Sequence, residues 1–436
     1  MECAKMKFAR RSVLSGLGGL AVVSAFDSTE AKSNEVKNLQ AALEKAIEAD
    51  GEVNLPAGTF TASGLRIAGT MRLRGIQGKT LIVSPEGATI LTIADADAVT
   101  ISGVSFAGGD APATDQSAGG ALVVARNVTG LVIENCRFNT SQAGGLQLEA
   151  CAGRIANNEF AGIEKTALFA RDSQGLEISG NHVHDIGNNG IQVWASAAAE
   201  DGTLVCNNRV ERVAAKAGGD GQNGNGINVY RAGGVIVSGN RVSDCAFSAI
   251  RNNAGSNCQI VNNSIARTGE VAIYCEFGFQ GAVVSGNLIA DVAFGISITN
   301  FNEGGRLAVC ANNVVRDVKG GGSLDYTSGT GIAAEADTQV TGNVIENARD
   351  NGIALGWGKY CRNLAASNNI LRNCGRGIAF SVSEGAEAVM ITGNRIAGSR
   401  IAAIQGMDHQ EPVTEDLGRP GAAPPSRGLI GGNLVS

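Results

Sequence analysis

The chain has 436 residues, a net charge of −6, 61 glycines, seven prolines and 4% aromatic residues. Its length alone is a prior for two or three ordinary domains. There is no basic footprint to suggest a nucleic-acid partner, and beyond the N-terminal segment no stretch is long and apolar enough for a membrane helix.

Residues 1–25 have the layout of an export signal. Arg10-Arg11 precede an apolar, glycine-rich stretch from Val13 to Val23, and Val23-Ser24-Ala25 supplies small residues for cleavage. Ser12-Val13-Leu14 follows the arginine pair in the style of the twin-arginine pathway, the other reading being a general secretory signal. The expected partner is therefore the twin-arginine export machinery, and the expected location is periplasmic or secreted. The mature chain, residues 26–436, is expected to form one domain with no membrane span.

A cap about residues 35–60 opens that domain. Leu39, Ala42, Leu43, Ala46 and Ile47 follow the spacing of an amphipathic helix. Val53-Asn54-Leu55-Pro56-Ala57-Gly58-Thr59-Phe60 then reads as strand, turn and strand. A helix here would plug the end of a stack that otherwise exposes core and open edges.

Coils are expected about residues 61–406. An asparagine before an apolar pair recurs at Asn135, Asn158, Asn181, Asn208, Asn240, Asn263, Asn287, Asn313, Asn343, Asn369, Asn394 and Asn433. From Asn158 to Asn394 the preceding residue alternates between asparagine and glycine, so two coils make one double repeat. A Gly/Ala-Ile/Leu pair accompanies each coil, as at Gly190-Ile191, Gly226-Ile227, Ala249-Ile250 and Ala272-Ile273. Val183, Val210, Val242, Ile265 and Ile289 alternate into the core. This predicts an all-β fold, a right-handed parallel β-helix (a solenoid) with an N-terminal capping helix. The marker asparagines should stack as a ladder. Asp185, Arg212, Asp244, Arg267 and Asp291 should form a column of alternating charge. Residues 407–427 hold four of the seven prolines and read as an irregular loop, with 428–436 as a closing coil.

Nine of the ten cysteines lie beyond the signal. Cys151, Cys206, Cys258, Cys310 and Cys361 recur roughly two coils apart, about 10 Å at the usual strand spacing. That exceeds the roughly 7 Å reach of a disulfide, so buried thiols are expected.

The cap and the Asn-marked coils resemble the pectin-lyase-like parallel β-helix superfamily. Leu39-Gln40-Ala41-Ala42-Leu43, Val53 to Phe60 and Leu73-Arg74-Gly75-Ile76 carry the likeness. With Arg10-Arg11 added, the whole is similar to the twin-arginine-translocated repeat proteins, whose repeat is sometimes described as cofactor-binding. The superfamily hosts lyases, hydrolases, epimerases and non-catalytic adhesins. The catalytic signatures of polygalacturonases and mannuronan epimerases are missing here, so no family catalytic residue carries over and no cofactor is named.

Insertions at Ala214–Asn225 and Lys319–Thr330 precede Gly-Ile strands four coils, about 19 Å, apart. They are expected to wall a groove. Alternation puts Gln192, Trp194, Asn228, Tyr230, Arg251, Asn253, Tyr274, Glu276, Ser297 and Thr299 on its floor. Flat aromatics beside polar groups suit sugar rings. Arg251 is the candidate for a uronate carboxylate, and Tyr274 or Tyr230, with Glu276, for proton exchange. Expected function is thus binding, and cleavage or epimerisation, of an acidic polysaccharide, with Arg251, Tyr274 and Glu276 as catalytic candidates. The competing expectation is a non-catalytic binding scaffold or cofactor carrier. His184-Asp185 is a weaker acid–base candidate, and Asp291 and Asp317, neighbours in the charge column, are weak metal candidates.

Overall fold

Three short strands make each coil. His182–Ile186, Asn189–Glu200 and Leu204–Cys206 form one such set. The first strand of every coil joins a 15-stranded sheet, and the second and third join a larger one. The result is the parallel β-solenoid of about 13 turns with one N-terminal helix. A computed structural model describes residues 22–23, 35–84, 87–109, 120–324, 327–422 and 428–436. Arg10-Arg11 and most of the expected signal lie outside the described residues. Within that segment Val22–Val23 pair in parallel with Glu52–Val53.

Stacking is in register. Val183, Val210, Val242, Ile265 and Ile289 are Cα partners on successive coils. All five are buried, as are Ile191, Ile227, Ile250, Ile273 and Ile296 on the second strands. Near the N-terminal end the inward column becomes a stack of phenyl rings, with Phe138 centred 5.4 Å from Phe106 and 4.7 Å from Phe160.

The helix Glu35–Glu48 closes that end. Leu39, Ala42, Leu43 and Ala46 are buried against the first coil. Gln40 pairs with the backbone of Arg66, accepting its N–H at 2.8 Å and donating to its C=O at 3.2 Å. The edge strand Leu65–Ile67 thus meets a side chain instead of an incoming strand. At the far end Gly428–Gly431 and Leu434–Val435 pair with the preceding coil, and Met407–Asp408 pair antiparallel with Glu411–Pro412.

The ladder runs from Asn158 to Asn433. Asn263 shows one rung. Its Nδ2 donates to Asn287 Oδ1 and to the Val237 carbonyl, both at 3.0 Å. Its backbone N–H also donates to Asn287 Oδ1 at 3.0 Å. In turn Asn263 Oδ1 accepts from the backbone and side chain of Asn240. From Asn181 to Asn394 both donor hydrogens and both acceptor sites of each amide are used, which makes asparagine affordable at a buried corner. Asn135 departs from the expected ladder. Arg137 pairs with Glu159, so Cys136 stands in the rung and its N–H donates to Asn158 Oδ1 at 3.0 Å. Asn135 occupies the position before the rung, at φ 55°.

The same geometry explains the double repeat. The residue before each rung is left-handed, with φ between 56° and 68° from Asn157 to Gly393. Asparagine and glycine tolerate that conformation best. A Cβ at Gly286 would lie 2.4 Å from Asn262 Oδ1, and one at Gly180 2.5 Å from Asn157 Oδ1. From Asn157 onward each asparagine covers the glycine of the next coil, and a Cβ on that glycine would meet its Oδ1.

The nine cysteines beyond Cys3 are free thiols, and all but Cys206 are buried. Burial pushes Cys245, Cys258, Cys310 and Cys361 up to about 12. They fill core and stay protonated.

Candidate functional site

Pairing brings the predicted floor residues to one outward face. Gln192, Asn228, Arg251, Tyr274 and Ser297 form one column. Trp194, Tyr230, Asn253 and Glu276 form the next, and the Thr299 N–H donates to the Cys275 carbonyl to extend it. The two columns differ in what covers them.

At the N-terminal end the aromatics are half-exposed. Trp194 lies 4.5 Å from Tyr230 and edge-on to Phe169 at 5.7 Å, centroid to centroid. Arg231 follows Tyr230 in the chain, is exposed, and sets its guanidinium 4.8 Å from the Tyr230 ring centroid. The guanidinium lies over one face of Tyr230, so the exposed cation offers a carboxylate partner beside the Trp194 ring.

In the middle the groups are closed off. Arg251 is 9% exposed and Glu276 2%. Arg251 donates to both oxygens of Glu276, at 2.6 and 3.0 Å. Its remaining nitrogen donates to the Gly221 carbonyl at 2.6 Å and to Glu270 at 3.4 Å. Asn253 donates to Glu276 at 2.8 Å and Ser248 to Glu270 at 2.7 Å. The expectation that Arg251 awaits a uronate carboxylate is therefore corrected: its donors are already engaged by protein oxygens. Tyr274 lies under the same guanidinium, 5.3 Å from ring centroid to Cζ. Burial and the carboxylates of Glu276 and Glu270 push its phenol up to about 12, so at neutral pH it is a proton donor.

Glu270 was not singled out by its sequence context. It is 6% exposed, and one guanidinium faces two carboxyl groups. Burial raises the Glu270 pKa against the pull of Arg251 and Ser248. Burial likewise raises Glu276, opposed by its two bonds from Arg251. Nothing distinguishes Glu270 among the turn residues of the sequence; only the stacking puts it beside Arg251.

The first insertion roofs this centre, where facing walls were expected. Gly221 presses on Arg251 so closely that a Cβ there would fall 2.2 Å from Nη1. In the second insertion, Ser323 donates its N–H to the Gly269 carbonyl at 2.7 Å and its hydroxyl to the Ala246 carbonyl. Gly224 of the first insertion also packs at Ala246. Both loops thus converge on one coil.

The other candidates lie elsewhere. His184 bonds Asp185 at 2.7 Å and Glu159 at 3.4 Å, and His182 bonds Glu211 at 3.2 Å, all on the 15-stranded sheet. Arg212 and Arg267 join the charge column, reaching Asp185 at 2.7 Å and Asp244 at 2.6 Å. Burial of Glu211 is outweighed by hydrogen bonds from Arg209, His182 and Arg212, which hold it down to about 2. This is an ionic lattice that fixes stacking. The metal candidates are also committed: Asp291 pairs with Lys319, while Asp317 accepts from Arg316 at 2.6 Å and Asn347 at 2.9 Å. Among the described residues no cluster of three His, Cys, Asp or Glu side chains is placed to hold a metal.

Glu270 gives a pH test. A carboxyl whose folded pKa is raised stabilises the fold below its ordinary value of 4.5, and this contribution is lost as pH rises through the raised value. Glu270→Gln should therefore gain melting temperature relative to the parent as pH rises from about 4 to about 7. A difference that stays constant or shrinks in thermal unfolding across that range contradicts the assignment.

Residues 63–210 and 198–360 match the family model described as right handed beta helix region. The comparison with curated proteins yields no match. Solved structures share the fold at low identity. The A-module of the Azotobacter vinelandii mannuronan C-5 epimerase AlgE6 is 16% identical, with 92% of this chain and 96% of that one aligned, at a TM-score of 0.46. A PL6 alginate lyase in complex with a trisaccharide is 14% identical, covering 87% and 84%, at 0.50. The catalytic domain of a GH87 α-1,3-glucanase in complex with tetrasaccharides is 14% identical, covering 84% and 68%, at 0.48. The family match spans well over half of the chain, and the chain belongs to the right-handed β-helix family.

Proposed function

We propose that this protein is an exported binder of acidic polysaccharide, and that the Trp194–Tyr230 pair, with Arg231 over the Tyr230 ring, is where the sugar seats. The observation that carries the reading is the contrast within one face: the aromatic pair is half-exposed while the charged centre beside it is closed. Stacking faces and an exposed guanidinium held only by the Ser196 carbonyl, at 3.3 Å, bind a uronate; a guanidinium already clamped by glutamate does not. Asn228, half-buried on the Tyr230 strand, supplies an amide for a hydroxyl. The alginate lyase of this fold holds a trisaccharide, which is in keeping with the reading.

A second reading is turnover, and one observation favours it. Arg251, Tyr274, Glu276 and Glu270 are ionisable groups gathered beside a loop that touches Arg251 through Gly221. Such perturbed clusters are where acid–base chemistry concentrates. Withdrawal of Ala214–Asn225 would present the Tyr274 phenol as an acid, with Ser297 and Thr299 alongside. A uronate lyase leaves an unsaturated sugar that absorbs in the ultraviolet, so the parent protein incubated with alginate and polygalacturonate decides between the readings.

For binding, Trp194→Ala and Tyr230→Ala should each weaken retention of a uronate polymer at least about tenfold, or roughly 1.4 kcal/mol. Arg251→Lys should disturb stability more than affinity. Unchanged affinity in both aromatic variants, measured by calorimetry, would sink the proposal.

Export rests on Arg10-Arg11 and on the resemblance to twin-arginine-translocated proteins. A reporter fused to residues 1–25 should reach the periplasm, and replacing both arginines by lysine should strand it in the cytoplasm. Export that survives the double replacement points to the general secretory route instead.

A further inference from the structure

Both tryptophans of the chain and three of its four tyrosines lie on the second strand of a coil or in the turn after it. Trp194, Tyr230 and Tyr274 belong to the site described above. Trp357 and Tyr360 stand further along, in the turn after the strand Asn351–Leu355. Trp357 is 45% exposed.

This second group is held rigidly. Trp357 and Tyr360 exchange backbone hydrogen bonds at 3.1 and 3.0 Å. Gly356 and Gly358 turn the chain with φ of 78° and 54°. The Gly358 carbonyl accepts from Ser381 at 2.6 Å. His409 packs edge-on to Trp357 at 5.4 Å, and a Cβ at Gly358 would fall 2.4 Å from its Nε2. Asp408 fixes the imidazole through Nδ1 at 2.8 Å and accepts from Ser383 at 2.5 Å. Tyr360 meets Phe301 edge-on at 6.5 Å. Exposing a large ring while fixing it so fully costs both solvation and conformational freedom, which a ligand face would offset. Exposed Lys359 sits 5.5 Å from the Tyr360 ring centroid, repeating the pairing of ring and cation seen at Tyr230 and Arg231.

We infer that Trp357, Tyr360, His409 and Lys359 form a second sugar-binding subsite, and that one uronate polymer lying along the solenoid axis spans both platforms. The register counts six coil steps from Trp194 to Gly356, or about 29 Å. A short oligosaccharide reaches one platform, and a longer one reaches both and gains from the second contact without translational cost. The inference rests on the reading that the Trp194 platform binds uronate.

The test uses the full-length protein and alginate oligosaccharides of graded length. The parent should show a rise in affinity once the oligomer is long enough to bridge the platforms. Trp357→Ala should abolish that rise while short oligomers bind as before, and Trp357→Phe should restore it. With Trp194→Phe, Trp357 becomes the sole tryptophan, and its fluorescence should respond to long oligomers. If Trp194→Ala weakens binding but Trp357→Ala binds every length like the parent, the second subsite is refuted and the first stands. If the parent binds no oligomer, both are refuted.

Discussion

The rest of the structure depends on a column of asparagine amides at one corner of the solenoid. A parallel stack of similar coils has no intrinsic register, because apolar residues pack almost as well one step along. The ladder removes that freedom. A slip by one coil position would leave Asn263 N–H and Nδ2–H facing no acceptor, and each buried unsatisfied donor costs about 1–3 kcal/mol. The neighbouring Asn/Gly alternation from Asn157 to Gly393 adds a steric condition, since the covering Oδ1 leaves no room for a Cβ on the glycine it meets. The Asp185–Arg212 and Asp244–Arg267 pairs contribute less, being exposed.

Once register is set, the site follows from arithmetic. Residues two apart on a second strand face outward together, and residues a coil apart become neighbours. That is how Trp194 comes to lie against Tyr230 and Arg251 against Glu276, though each pair is distant in sequence. The insertions then divide the face. By placing Gly221 on Arg251 they bury a charged centre, and by stopping short of Trp194 they leave an aromatic shelf. The cluster under the loop carries one guanidinium against two carboxyl groups, so it is sensitive to protonation in a way the shelf is not.

Much of this was legible in the sequence because a solenoid writes its contacts as a period. The strand order, the buried isoleucine and valine columns, the asparagine ladder and the free thiols all follow from spacing. So does the assembly of the ten floor residues on one face. What the spacing could not supply lies in turns and loops, where length varies and periodicity says nothing. Asn135 matched the marker pattern, but one residue of offset hands its rung to Cys136. The insertions were located, yet their fold depends on loop contacts that no period specifies: Gly221 on Arg251 of the adjacent coil, and Ser323 on Ala246 three coils back. Arg251 therefore looked available and is not. Glu270 and the Trp357–His409 pair sit just outside strands, and Arg231 at a left-handed kink within one, at φ 56°, where alternation no longer assigns a direction.

The central claim is tested most directly at a single rung. Asn287 accepts both the backbone and side-chain donors of Asn263, so Asn287→Leu keeps the volume and deletes the acceptor. Hydrogen exchange followed by mass spectrometry reads the consequence. The account predicts a lowered unfolding temperature and faster exchange in segments spanning Asn263 and Asn313, with coils nearer the N-terminal helix less affected. Unchanged protection and unchanged melting in that variant would mean that apolar packing alone aligns the coils, and that the polar corner is incidental.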